Sequence, residues 1–189
     1  MTDFIRHISK TVLVDGWKRF SEFTYELRNR DGSWQKQTRE VYERGSAVTC
    51  LLRNPNTDNV LLTRQFRLPC HLIGRDAFLI EAPAGMLDGA DPVERMRLEL
   101  EEETGFSVSK MTRLFDLISS PGGVDETVVY YVGEYRASDR VSDGGGVVDE
   151  GEDIEVLEVP LDDALHMITT GEIYDAKTVI LLQHYALQR

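Results

Sequence analysis

The chain has 189 residues and a formal net charge of −12 at pH 7, and 41% of its residues are hydrophobic. This length and composition are typical of a globular chain with one sizeable core, and the acidic balance argues against a basic stripe that follows a nucleic-acid backbone. No apolar run approaches the length of a membrane span, and residues 1–10, MTDFIRHISK, lack the apolar core of a signal peptide. The two cysteines have no CxxC spacing, as expected in a reducing compartment. We therefore expect a cytoplasmic protein with no nucleic-acid or membrane partner.

The first 45 residues are predicted to be rich in strands. Residues 5–14, 19–28 and 34–45 alternate polar and apolar side chains, and the turn sequence NRDG indicates a hairpin between the second and third strands. A small sheet of this kind cannot bury both faces by itself. We expect it to pack on another subunit or on the rest of the chain.

From Ser46 onward the pattern changes to short buried strands and helices. Strands are predicted at 47–52, 59–67, 77–85, 111–119, 127–135 and 154–160, and helices at 92–104, 161–169 and 176–187. Strands of this kind with helices on both sides predict a three-layer α/β/α sandwich.

The predicted helix 92–104 has clear boundaries. Asp91 can cap its first turn, Pro92 fits the first helical position, and Glu94 can complete a capping box. Gly105 is suited to ending the helix, because glycine readily adopts the left-handed conformation. The side of the helix that can anchor it in the core carries Val93, Met96 and Leu100.

Acidic residues crowd the end of this helix. Residues three and four apart share a helix face, so Glu99, Glu102 and Glu103 are predicted to point into one arc while Glu101 turns away. Two effects disfavour acids in the last turn of a helix: the like charges repel one another, and the helix dipole is unfavourable for negative charge there. A convergent set of carboxylates suits Mg²⁺ or Mn²⁺. The alternative is a solvated acidic face, and the turn PAGMLDG just before the helix favours the metal site because it can offer backbone oxygens.

The sequence around these acids resembles the signature of the Nudix hydrolase family. That signature consists of a glycine, a spaced acid, an Arg-Glu pair, an apolar residue, a Glu-Glu pair and a glycine, and here it runs from Gly85 to Phe106. The interval from Gly85 to Gly105 is one residue shorter than usual, and Asp91 stands where the spaced acid is expected.

One residue departs from the family signature. Leu98 replaces the arginine that normally precedes the first glutamate, Glu99, and orients the acids. Arg95 lies one turn before Glu99 on the acid side and is expected to take over that contact. Arg97 is expected to point elsewhere.

Further segments narrow the resemblance to the ADP-ribose and nucleotide-sugar pyrophosphatase branch of the family, and within it to GDP-mannose pyrophosphatases. The matching segments are REVYERGSAV, TRQFR, EAPAG, SPGGVDE, GGGVVDEGEDIEVLE and TGEIYDAKTV. The resemblance implies a Nudix α/β/α sandwich with a mixed sheet over residues 46–189. It also implies a small antiparallel sheet over residues 1–45 that serves in homodimerisation and substrate contact.

The resemblance implies a reaction as well as a fold. We expect Mg²⁺-dependent hydrolysis of a nucleoside diphosphate sugar, GDP-mannose before others, to GMP and mannose 1-phosphate, with Mn²⁺ as a possible substitute. The alternatives are hydrolysis of ADP-ribose to AMP and ribose 5-phosphate, or a module that senses nucleotide sugars without turnover.

Roles for individual residues follow from the same resemblance. The metal ligands would be Ala84, through its carbonyl oxygen, and Glu99, Glu103 and Glu152. The catalytic residues would be Glu102, Glu103 and Glu152, with Asp149, Glu150 and Asp153 left open as alternatives to Glu152. The substrate contacts would be Trp17, Arg39, Glu40, Arg67, Gly85, Met86, Glu126 and Lys177, with Arg39 and Glu40 reaching across from a partner subunit.

Overall fold

The computed structural model describes residues 4–188, apart from the side chain of Glu150. The chain forms two compact units. The first comprises the N-terminal residues through Ser46 together with Leu117–Val128, and the second comprises Ala47–Asp116 and the residues from Val129 onward. The domain bounds predicted from the sequence, 1–45 and 46–189, instead assign the segment Leu117–Val128 to the second domain.

The first unit is built on a three-stranded antiparallel sheet. Its strands are β1 (Ile5–Asp15), β2 (Arg19–Arg28) and β3 (Trp34–Glu43), in the order β1-β2-β3. The predicted hairpin joins β2 to β3, with Gly32 at a φ of 87° in its turn. The segment Leu117–Val128 joins this unit through a bridge from Tyr42 to Val124. All three strands predicted in this part of the chain are confirmed.

The larger sheet is mixed and has seven strands. They are β4 (Ser46–Arg53), β5 (Asn59–Phe66), β6 (Phe78–Glu81), β7 (Ala84–Met86), β8 (Met111–Ile118), β9 (Thr127–Glu134) and β10 (Glu155–Pro160). The order is β10-β5-β4-β9-β8, with β6 paired to β5 and β7 paired to β4. The single strand predicted over 77–85 is divided into β6 and β7 around Pro83, which has no N–H to donate to a neighbouring strand.

Four α-helices accompany this sheet in the described residues. They are α1 (Leu68–Leu72), α2 (Pro92–Glu99), α3 (Leu161–Thr170) and α4 (Ala176–Leu187). A π-helical turn, Leu100–Thr104, continues α2 and ends at Gly105, whose φ is 79°. The predicted helices are confirmed, and α1 was not predicted. No helix in the described part of the chain is long and apolar enough to cross a membrane.

The central strand β4 shows why the elements form layers. Every residue from Ala47 to Leu52 is buried, so both faces of the strand are covered. Helix α2 and its π-helical turn, residues 92–104, together form what we call the acid helix. On one face of β4, Val48 and Cys50 pack in a cluster with Met96 and Leu100 of the acid helix. Burial raises the pKa of the Cys50 thiol, which suits a thiol that only packs.

Candidate active site

The acid helix is held in place at its start and along its apolar side. The Asp91 carboxylate accepts hydrogen bonds from the backbone N–H groups of Val93 and Glu94 at 3.0 and 3.1 Å. The predicted capping box is not formed, because the Glu94 carboxylate instead accepts a hydrogen bond from Arg97 at 2.7 Å. Met96 has no exposed surface and fixes which face of the helix meets the core.

This anchoring turns two glutamates inward. Glu99 and Glu103 are only 5% and 2% exposed, Glu102 is half-buried and Glu101 is exposed, as the helical spacing predicts. A side chain at Gly85 would overlap the Glu99 carboxylate, so the absence of one lets the two groups meet. The structure therefore brings the backbone of β7 against the carboxylates of the acid helix.

The backbone next to Gly85 also contacts this pair. The N–H of Ala84 donates a hydrogen bond to Oε2 of Glu103 at 3.3 Å. In β7, Ala84, Gly85 and Met86 are half-buried and pair with Thr49, Val48 and Ala47 of β4. The buried central strand thus sets the position of the β7 backbone beside the acids.

Burial and the charges of neighbouring carboxylates raise the pKa values of both inward glutamates. Burial is the largest cause for Glu99, and with the charges of Glu102 and Glu152 it raises the pKa to about 7. Burial is also the largest cause for Glu103, whose pKa is raised well above its usual range with the charges of Glu99, Glu81 and Glu152 adding to the effect. A cation among these groups would favour their charged forms.

Arg95 is the cation that the helix itself supplies to this cluster. Its Nη2 atom lies 2.5 Å from Oε1 of Glu99, one helical turn away. Arg97 donates to Glu94 and to the carbonyl oxygen of Ser109 instead. Both predictions about these arginines are confirmed.

Glu152 lies in the loop between β9 and β10 and reaches the same cluster. It is half-buried, and its Oε2 atom accepts a hydrogen bond from the N–H of Val147 at 2.9 Å. Its charge contributes to the raised pKa values of Glu99 and Glu103. The loop acid expected to join the helix acids is therefore within electrostatic range of them.

The other acids considered for this role differ from Glu152. Asp149 and Asp153 are exposed. The side chain of Glu150 lies outside the described part of the chain.

Two cations meet at a buried carboxylate that sequence analysis assigned no role. Glu81, at the end of β6, has a side chain that is 3% exposed and accepts hydrogen bonds from Arg67 Nε at 2.6 Å and Lys177 Nζ at 3.4 Å. Lys177 also donates to Asp175 at 2.7 Å. The charge of Glu81 contributes to the raised pKa of Glu103, so this network adjoins the acid helix. An acid at the end of a buried strand, just before the PAG turn, was the sequence signal for Glu81.

The remaining predicted substrate contacts lie in the N-terminal unit. Trp17 is 73% exposed, and the guanidinium of Arg44 lies 5.6 Å from its ring centroid. Arg39 and Glu40 are exposed neighbours on β3. Glu126 is bound to Arg44 Nε at 2.5 Å, within the same unit. These residues and the carboxylate cluster therefore belong to different units.

A cleft within the N-terminal unit contains one of these residues. Its volume is about 560 Å³, and Arg39 lines it together with Phe23 and Tyr25 of β2. Aromatic rings beside a guanidinium can bind a planar, polar group such as a nucleobase.

Comparisons with known families match both parts of the chain. The NUDIX domain model matches residues 43–182, and the model described as the GDP-mannose pyrophosphatase NudK N-terminal domain matches residues 4–42. The chain belongs to the Nudix family. The predicted enzyme class, a Nudix pyrophosphohydrolase, is confirmed.

Relatives of this Nudix protein extend the match over nearly its whole length. It is 44% identical over 185 residues to the GDP-mannose pyrophosphatase of Pectobacterium atrosepticum, with coverage of 97% of this chain and 95% of the relative. It is 45% identical over 181 residues to the GDP-mannose pyrophosphatase of Klebsiella pneumoniae, with coverage of 95% and 90%.

A solved structure confirms the predicted fold class. The chain superposes on a structure titled "Crystal structure of ADP compounds hydrolase" with a TM-score of 0.72, over 96% of this chain and 92% of the other, at 18% identity. At that identity the likeness shows the fold alone. The mixed α/β Nudix fold with an additional small antiparallel sheet is confirmed.

The Nudix site contains carboxylate oxygens that could bind a metal ion, and in this structure each of these carboxylates bonds to another group of the protein. Among the described residues, no group of three His, Cys, Asp or Glu side chains is already arranged to hold a metal ion. Glu99 is bonded to Arg95, Glu103 to the N–H of Ala84, and Glu152 to the N–H of Val147. The donor set still fits a hard divalent cation, because the charge of Glu152 raises the pKa values of Glu99 and Glu103 beside a β7 backbone that can add a carbonyl oxygen.

Proposed function

We propose that this Nudix enzyme hydrolyses the pyrophosphate bond of GDP-mannose, giving GMP and mannose 1-phosphate. The observation that carries the proposal is the electrostatic coupling of Glu99, Glu103 and Glu152 beside two cations, Arg67 and Lys177. A diphosphate and its counter-ion need anionic and cationic protein groups side by side. GDP-mannose is favoured over other nucleotide sugars because the Pectobacterium and Klebsiella relatives carry that substrate in their names.

A divalent cation, Mg²⁺ or in its place Mn²⁺, would be held by Glu99, Glu103, Glu152 and the carbonyl oxygen of Ala84. Bound there, it would neutralise charge on the diphosphate and lower the pKa of the attacking water. Glu102 lies half-buried on the same arc of the helix and would add a further carboxylate.

The chain's own groups would move the proton and hold the substrate. A carboxylate oxygen of Glu152 would accept the proton that the attacking water loses. Arg67 and Lys177 would donate hydrogen bonds to phosphate and sugar oxygens while remaining bonded to Glu81. Gly85 and Met86 would contact the substrate from β7, where a side chain at Gly85 has no room.

The N-terminal unit would recognise the nucleoside. The exposed ring of Trp17 would stack on the base, and Arg39 and Glu40 would bond to it from a partner subunit. Glu126 would form a further polar contact with the substrate, and it is already oriented by Arg44.

The proposal is tested by measuring kcat/KM for GDP-mannose and for ADP-ribose with Mg²⁺. We expect GDP-mannose to be the better substrate and Glu103→Gln to lower its hydrolysis by at least about 100-fold. Glu101→Gln removes an exposed carboxylate from the same helix and should retain activity.

Three results would contradict the proposal. Faster cleavage of ADP-ribose would assign the alternative substrate. Tight binding of GDP-mannose without release of GMP would assign a sensing module. Rates no higher than those of the Glu103→Gln variant for both substrates would mean that the chain is not a hydrolase of this class.

We further propose that the chain forms a homodimer through its N-terminal sheet. Nearly all of β1 is exposed, although it carries several large apolar side chains. They are Ile8, Val12, Leu13 and Val14. Exposed apolar surface of this kind on an edge strand is typical of an interface with another subunit.

A further inference from the structure

Three consecutive glycines, Gly144–Gly146, lie in the same β9–β10 loop as Glu152 and bind this loop to the end of the acid helix. All three have positive φ angles, of 68°, 108° and 81°. The N–H of Gly145 donates to the carbonyl oxygen of Glu103 at 3.0 Å, and the N–H of Gly146 donates to that of Glu102 at 2.9 Å. The last carbonyl groups of a helix have no partner inside the helix, so this segment supplies two of the missing donors.

Two of these glycines have no room for a side chain. A methyl group on Gly144 would lie 2.6 Å from the carbonyl oxygen of Glu103 and 2.8 Å from the nitrogen of Gly105. A methyl group on Gly146 would lie 2.6 Å from Oε2 and 2.8 Å from Cβ of Glu152. Gly144 therefore lets the loop backbone dock on the helix end, and Gly146 leaves space for Glu152 itself.

Hydrogen bonds on both sides extend this docking. Before the glycines, the N–H of Val141 donates to the carbonyl oxygen of Gly105 at 2.8 Å. After them, the N–H of Val147 donates to the Glu152 carboxylate at 2.9 Å, and the N–H of Ile154 donates to the carbonyl oxygen of Gly145 at 3.1 Å. A continuous set of short contacts thus runs from the end of the acid helix to the carboxylate of Glu152.

We propose that Gly144–Gly146 is a positioning element that sets the distance of Glu152 from Glu99 and Glu103. The inference rests on the proposed function, because it requires Glu152 to act in pyrophosphate hydrolysis. The glycines touch no reacting atom and act through Glu152. Arg67 and Lys177 lie on other elements, so a displaced loop should lower kcat while KM stays close to its original value.

Gly144→Ala tests this directly, with Gly151→Ala as its matched control. Gly151 lies in the same loop at a φ of 78°, and a methyl group there would meet no heavy atom within 4 Å. Both variants carry the strain of a left-handed alanine, but only Gly144→Ala pushes the loop from the helix. We expect kcat with GDP-mannose and Mg²⁺ to fall roughly 10- to 100-fold in Gly144→Ala and to stay near its original value in Gly151→Ala. Equal kcat values in the two variants would overturn the inference.

A double-mutant cycle separates positioning from general damage. If Gly144 acts through Glu152, adding Gly144→Ala to Glu152→Gln should lower kcat no further than Glu152→Gln alone. Losses that multiply would overturn the inference. Thermal denaturation shows whether Gly144→Ala is folded. If it is not, Gly146→Ala takes its place in the cycle, because the added methyl group meets the flexible Glu152 side chain rather than the backbone at the helix end.

The outcomes distinguish this inference from the proposed function. If the unmodified protein is inactive, the proposed hydrolysis is contradicted. If the Glu152→Gln variant keeps full activity, the role of Glu152 is contradicted. The positioning element alone is contradicted if the unmodified protein is active and Glu152→Gln is impaired while Gly144→Ala has normal activity.

Discussion

At the scale of single residues, Arg95 has taken over a contact that the family signature assigns to another position. Leu98, which stands in place of the signature arginine, is 52% exposed. Arg95 reaches Glu99 from one helical turn away, because residues four apart share a face. The resemblance to the family signature and the helical period together predicted this contact, and the structure shows it.

We expect Arg95→Gln to reduce activity by roughly 10-fold, because a hydrogen bond between charged groups contributes about 1.5 kcal/mol. Steady-state hydrolysis of GDP-mannose is the measurement. Arg97→Gln is the matched control, since Arg97 is bonded to Glu94 and Ser109 and not to the cluster. An equal loss in both variants would show that Arg95 acts only by stabilising the helix.

Glu81→Gln should raise KM more than it lowers kcat. The carboxylate of Glu81 binds Arg67 and Lys177, and a neutral amide would hold the two cations less firmly for phosphate binding. We expect KM for GDP-mannose to rise roughly 10-fold. Glu155→Gln, which weakens the exposed pair with Arg64, is the control and should leave KM unchanged. An unchanged KM in Glu81→Gln would mean that Glu81 serves only the fold.

At the scale of elements, the acid helix ends in a way that its 3.6-residue period did not anticipate. The turn Leu100–Thr104 is π-helical, and the hydroxyl of Thr104 donates to the carbonyl oxygen of Leu100 at 2.5 Å. Single π turns inside helices are often found at functional sites. The turn carries Glu102 and Glu103, so it decides where these acids lie relative to Glu99.

Helix α4 depends on a charged cap that should make stability sensitive to acid. Burial acts to raise the pKa of Asp175, but the charge of Lys177 and hydrogen bonds from Lys177 and Thr178 outweigh it, and the pKa is lowered. The unfolded-state pKa is about 3.9, so the stabilisation is fully present above that pH and is lost as pH falls through the lower folded-state pKa.

Asp175→Asn keeps a good capping residue but removes the charge. We expect it to lower the free energy of unfolding by roughly 1–2 kcal/mol at pH 7 and by less at about pH 3, which is below the unfolded-state pKa. Urea denaturation at both pH values is the measurement. Asp91→Asn, at the exposed cap of α2, is the control and should cost less at pH 7, because the Asp91 carboxylate accepts its hydrogen bonds from the neutral backbone N–H groups of Val93 and Glu94. A difference for Asp175→Asn that does not change with pH would contradict the assignment.

At the scale of the whole molecule, β1 exposes large apolar side chains that nothing in a single chain covers among the described residues. β1 is an edge strand of a three-stranded sheet and pairs only with β2 among the described residues. A second subunit that covered it would bury Ile8, Leu13 and Val14.

We expect light scattering after size-exclusion chromatography to give twice the mass of one chain. Val14→Glu combined with Ile8→Glu should shift the mass to that of a monomer, because two buried charges would oppose association. Leu187→Glu changes another exposed apolar residue, at the end of α4, and should leave the dimer intact. A natural sequence that is monomeric and fully active would contradict the proposed dimer.

The sequence by itself determined most of the elements and the identity of the acid helix. Alternation, helical period and the residues Asp91 and Gly105 act over a few positions, so a local reading could locate strands, helices and the inward face with Glu99 and Glu103. It did not predict α1 or the division of β6 from β7 at Pro83.

Only the tertiary structure decided how distant segments meet. Glu81 binds Lys177, which is 96 residues away, and the glycines of the β9–β10 loop bond to the carbonyl groups at the end of the acid helix. Contacts of this kind depend on the path of the chain through the larger sheet. No pattern within a short window of sequence contains that path, because period and propensity describe neighbours along the chain and not neighbours in space.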